Sequence, residues 1–161
     1  MTITETLTNM PAAGILASLD LDLSMVRMKL ATPEEGEPWE QAKLDVAEAE
    51  YRKFLALNLA YPDEAIVPCR LVDQLWHQHI LDTAAYRDDC ERLFGFFFDH
   101  YPYFGLNGPE DAANLQRAYN VTVELYELNF GPPPVGAWGK GTTAAKCRTG
   151  CKPVKCKSGT V

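Results

Sequence analysis

A chain of 161 residues can build one domain with a real apolar core, and 47% hydrophobic with 11% aromatic residues is a globular rather than a disordered composition. The net charge of −7 is unevenly spread: from Lys140 onward six residues are Lys or Arg and none is Asp or Glu, so the preceding body carries −13. That balance disfavours nucleic-acid or anionic-membrane binding by the body, and no apolar run reaches the ~20 residues that span a bilayer.

The first residues, Met1-Thr2-Ile3-Thr4-Glu5, lack the basic and apolar regions of a secretory signal, so the cytoplasm is the expected location. Residues 1–17 are Thr-rich and then small and apolar, and are expected to form a poorly ordered lead-in. A helical domain is expected over 18–131. Leu19, Leu23, Val26 and Leu30 predict a first helix over about 19–31, broken by Thr32-Pro33 and Gly36 to Pro38. A second helix, about 38–60, carries the stripe Leu44, Ala47, Tyr51, Phe54, Leu55 and Asn58. Pro68 is expected in the first turn of a third helix that runs unbroken to Phe94, where Gly95 stops it.

The aromatic connection Phe96 to Gly105 is expected to be largely covered by the core. A fourth helix over about 109–130 places Leu115, Tyr119, Thr122 and Tyr126 in register, and Gly131-Pro132-Pro133-Pro134 ends it. Residues 132–161 read as a flexible basic tail containing Cys, Gly and Lys. The expected fold is therefore all-α: a single helical-bundle domain of about four helices with a flexible C-terminal tail.

Chemistry concentrates on the third helix. His77, His79 and His100 lie within 24 residues, with Cys90 among them. Imidazole and thiolate are ligands for Zn and Cu, which makes these four residues candidate metal ligands. They do not form one site on an intact helix. At 100° per residue His77 and His79 diverge by roughly 200°. His79 and Cys90 share a face but lie 11 residues apart, about 16 Å along the axis.

Three readings stay open. In the first, Asp73, Trp76, His77 and His79 form a structural motif: His79 is a hydrogen-bonded core residue, His77 pairs with Asp73 one turn earlier, and Cys90 is a small buried side chain. In the second, His77 or His79 joins residues from other elements around a metal. In the third, His79, Asp82 and Tyr86 form an acid–base site. No nucleophile or oxyanion hole accompanies them, which weighs against an enzyme.

The five cysteines are an odd number, which argues against a disulfide framework. Cys147, Cys151 and Cys156 sit among lysines in the tail and are candidate ligands for Zn or Cu, although their spacing matches neither a zinc ribbon nor a finger. A folded leader followed by such a tail is also the layout of a ribosomal peptide precursor whose cysteines are modified by a partner enzyme.

The segment Val72-Asp73-Gln74-Leu75-Trp76-His77-Gln78-His79, with Asp82, Tyr86, Asp89-Cys90, Phe94-Gly95 and His100-Tyr101-Pro102, resembles the signature of the glycine-rich domain-containing protein-like family. The resemblance covers about residues 19–131. It implies a helical domain, and plant members of that family are linked to growth and stress responses. The long glycine-rich segment that names the family is not present here. The expectation from all of these residues is a non-enzymatic helical binding or interaction module with a metal- or thiol-active cysteine tail and a protein partner or tail-modifying enzyme. The peptide precursor and an enzyme using His79, Asp82 and Tyr86 are the alternatives.

Overall fold

The computed structural model describes residues 11–138 and 148–149. Among the described residues six helices form an all-α body: α1 (Pro11–Ser18), α2 (Ser24–Ala31), α3 (Gln41–Ala60), α4 (Arg70–Leu81), α5 (Thr83–Phe94) and α6 (Gly108–Phe130). Two short strands, β1 (His100–Tyr101) and β2 (Arg148–Thr149), pair antiparallel with His100 opposite Thr149 and Tyr101 opposite Arg148. No helix among these residues is long and apolar enough to cross a membrane.

The body is organised on α3, which packs against α1, α2, α4 and α6. Its sequence favours a helix on two counts. Ala, Leu, Glu and Lys dominate it, and its apolar residues recur so that Leu44, Ala47, Tyr51, Phe54 and Leu55 are all buried. Pro62 bars continuation, and the Tyr61 N–H closes the last turn on the Leu57 carbonyl at 2.8 Å. Phe54 meets Trp76 of α4 with ring centroids 5.2 Å apart, and Trp76 stacks on Phe98 at 5.3 Å. Burying each such side chain stabilises the fold by roughly 1.5–3 kcal/mol relative to exposure.

The helix count exceeds the expected four for two reasons. Pro11–Ser18, all but its last residue expected within the poorly ordered lead-in, is helix α1: Ala12 is fully buried, and its N–H donates to Asn129 Oδ1 of α6 at 3.1 Å. Residues 1–10 lie outside the described set. The expected long third helix is also two helices. It starts at Arg70 rather than at Pro68, and it breaks at Asp82, whose φ of −81° and ψ of 73° are not helical. The Asp82 N–H turns back to the His79 carbonyl, and the Asp82 carbonyl accepts the first bond of α5 from the Tyr86 N–H. Gly95, in the left-handed conformation at φ 73°, closes α5 as the sequence predicts.

The tail was also expected to begin too early. Ala137 and Trp138 are buried. The Trp138 ring lies against Tyr119 and Tyr126, and its Nε1–H donates to the buried Glu50 carboxylate at 2.9 Å. Tyr126 donates to the same Glu50 oxygen and Lys53 bonds the other, so this buried carboxylate is fully paired. The aromatic connection is covered only in part: Phe98 and Phe104 are buried, whereas Phe97 and Tyr103 are exposed.

Candidate functional site

Three side chains from two elements converge beside the first two turns of α4. Asp73 and His77 are one helical turn apart and therefore share a face. His100 arrives from β1. Asp73 Oδ1 lies 3.2 Å from His77 Nε2 and 3.1 Å from His100 Nε2, and the two Nε2 atoms are 2.8 Å apart.

With Asp73 ionised, no arrangement of imidazole protons satisfies this triangle. If only one ring carries a proton on Nε2, at least one edge brings two acceptors together. If both do, each can donate to Asp73, but the 2.8 Å edge sets two donors against each other. A cation bound by all three atoms resolves the conflict. With bonds of about 2.0–2.1 Å, ligand atoms at right angles lie about 2.8–3.0 Å apart and tetrahedral ones about 3.3–3.4 Å, and the observed edges of 2.8 to 3.2 Å lie between these limits. The Asp73–His77–His100 group is the metal-competent cluster among the described residues.

The fold supports this triad from beneath. The Trp76 ring packs against His100 with centroids 4.5 Å apart. The Trp76 Nε1–H donates to the Tyr86 hydroxyl at 3.0 Å, and that hydroxyl donates to the Phe98 carbonyl at 2.5 Å. Phe98 stands two residues before His100, so the buried Trp76–Tyr86 pair fixes the backbone that leads into β1. A hydrogen bond with Asp73 raises the His77 pKa above the ordinary imidazole value, against partial burial, and marks Asp73 as a source of negative charge at the triad.

His79 belongs elsewhere. It is 3% exposed. Nε2 lies 2.8 Å from Asp89 Oδ2 and Nδ1 lies 2.8 Å from the Tyr51 hydroxyl. A carboxylate only accepts, so the neutral ring donates from Nε2 and receives the Tyr51 proton at Nδ1. Burial lowers the His79 pKa despite Asp89 and keeps the ring neutral. His79 thus clamps α3, α4 and α5 together. The clamp requires the break at Asp82, because ten residues of continuous helix would hold His79 and Asp89 about 15 Å apart.

The structure does not assemble the acid–base group His79, Asp82 and Tyr86. His79 and Tyr86 are sealed in the core with their polar atoms engaged, whereas Asp82 is exposed and faces a shallow groove beside Met25, Met28 and Leu81. Burial pushes the Tyr86 hydroxyl pKa far up, which removes it as an acid near neutrality. Cys90 is not in the metal cluster; it is buried, burial raises its thiol pKa, and it meets the Tyr86 hydroxyl and the Phe98 N–H. Burial pushes the Cys69 thiol up to about 12. Cys147, Cys151 and Cys156 lie outside the described residues.

The sequence offers His77 and His100 as metal-ligand candidates but Asp73 only as the structural partner of His77, and it does not group the three. The Asp73–His77 spacing was visible, and His100 joins it only through the path of the chain after α5.

No curated protein and no solved structure matches the chain. One family model spans residues 25–133, about two thirds of the sequence, and takes in Asp73, His77 and His100 together with the Trp76–Tyr86 support. On that match the chain belongs to the UCP032817-like family.

Proposed function

We propose that this domain is a metal-dependent protein whose single ion is held by Asp73, His77 and His100, and that the centre is of the catalytic rather than the purely structural kind. The observation that carries the reading is the triangle of Asp73 Oδ1 and two Nε2 atoms with edges of 2.8 to 3.2 Å, which imidazole protons beside an ionised Asp73 cannot satisfy and a cation can. Two imidazoles and one carboxylate are the ligand set of hydrolytic zinc centres and of non-haem iron(II) centres, both of which keep positions open for water and substrate. Structural zinc sites are normally closed by four protein ligands, and the triad supplies three, with the His77 side chain 51% exposed. Zinc is the ion we favour; bound there, it would acidify a coordinated water and polarise a substrate oxygen. Asp73 would offset its charge, and the Trp76 shelf would hold His100 in place.

The resemblance to glycine-rich domain-containing proteins rests partly on these residues. We propose that the shared Asp-x-x-Trp-His segment and the later His100 reflect the same triad.

The test is metal analysis of untagged full-length protein loaded with zinc and dialysed. About one ion per chain is expected, falling below a tenth in His77→Ala and in His100→Ala and staying at one in Cys90→Ser. Wild-type protein without stoichiometric metal, or unchanged metal in both histidine variants, overturns the reading. Cobalt substitution tests the open position: an absorption spectrum that shifts on adding azide is expected, and a spectrum indifferent to added anions contradicts a catalytic centre.

A further inference from the structure

His100 has two roles at once. Its side chain completes the triad, and its backbone pairs with Thr149 in the β1–β2 ladder. We infer that the edge of β1 is a docking surface whose occupant is the chain's own C-terminal segment at Arg148–Thr149, and that docking and metal binding strengthen each other. The inference rests on the metal reading above and adds a regulator to it.

The physical reason is the weakness of β1 alone. A two-residue strand has little stability of its own. It is tied on the body side by the Tyr86 hydroxyl to the Phe98 carbonyl and by the Trp76 ring beneath His100. Pairing with β2 adds a backbone restraint at His100 itself, with paired Cα atoms about 4.5–5.5 Å apart. Because the direction of a strand side chain follows its pleat, ordering the His100 backbone also aims its imidazole at Asp73 and His77. A metal that fixes the imidazole must then favour the paired backbone by the same factor. Charge supports the choice of occupant, since the segment from Lys140 carries +6 against −13 on the body. The family match stops at residue 133, so β2 is an addition outside the matched domain.

The test uses the full-length chain. Zinc affinity is measured by competition with a chromophoric chelator for the wild type and for a double variant, Arg148→Pro with Thr149→Pro, which removes the N–H donors of β2 without touching the described core. The double variant is expected to bind zinc roughly fivefold or more weakly. Saturating zinc should slow amide exchange at His100, Tyr101, Arg148 and Thr149 in the wild type, and should do so less in the variant. Equal affinities overturn the coupling while leaving the metal centre standing, and so does exchange that zinc does not alter. A wild type that binds no zinc overturns both. A third variant, with Cys147, Cys151 and Cys156 all changed to Ser, keeps wild-type affinity if docking acts through the strand. A loss as large as that of the proline variant would assign the effect to thiolate ligation and overturn the strand mechanism.

Discussion

At the scale of single residues, the two histidines of Trp76-His77-Gln78-His79 have opposite environments two positions apart. His77 lies at the surface in the triad, and His79 lies in the core between Tyr51 and Asp89. Their substitutions should therefore separate. His77→Ala is expected to change unfolding free energy by no more than about 0.5 kcal/mol in metal-free protein, as surface changes do, while abolishing metal binding. Asp89→Ala leaves the buried His79 Nε2–H without its acceptor and should cost about 1–3 kcal/mol, with metal stoichiometry intact. Urea denaturation of metal-free protein, paired with metal analysis, checks both. Equal losses of stability would mean that His77 is a structural residue.

At the scale of elements, the break at Asp82 decides the local architecture. It turns α5 against α4, so that Trp76 meets Tyr86 and His79 meets Asp89. It also makes Thr83 the first residue of α5, where proline's missing N–H is not needed and its φ suits the helix. Thr83→Pro is therefore expected to alter stability by less than about 1 kcal/mol, measured by chemical denaturation. A continuous helix from 70 to 94 would instead lose about 3 kcal/mol. The helical character of the segment up to Phe94 and its Gly95 stop were legible in the sequence, because they depend on local residues alone. The break was not, because no Gly or Pro marks it; Asp82 and Thr83 are ordinary helix-start residues that also occur inside helices.

At the scale of the whole molecule, the segment after α6 is part of the body up to Trp138. Glu50 is buried among Lys53, Tyr126 and Trp138, and this cluster closes α3, α6 and the chain beyond α6 into one core. Trp138→Ala should cost about 3–5 kcal/mol, since it empties a large site and removes a donor from a buried carboxylate. A fall in thermal midpoint of several degrees is the measurement, and an unchanged midpoint would show that residues 132–138 do not hold the fold. The composition of that stretch, rich in Gly and Pro, reads as linker. Only its contact with Tyr119 and Tyr126 shows Trp138 to be a core residue.

Local sequence is enough to specify the all-α class, the helix faces of α3 and α6, the Gly95 stop and the four-residue spacing of Asp73 and His77. Each follows from local periodicity or from the conformational limits of one residue. It also showed that His77 and His79 cannot share an ion, since that is a matter of helix angle alone. Which histidine meets which partner follows instead from long-range packing. Bringing His100 to Asp73, His79 to Asp89 and Trp138 to Glu50 spans 27, 10 and 88 residues respectively. Such pairings depend on how the chain turns at Asp82, through the aromatic connection and after α6, and on which buried polar groups must find partners once the core has closed.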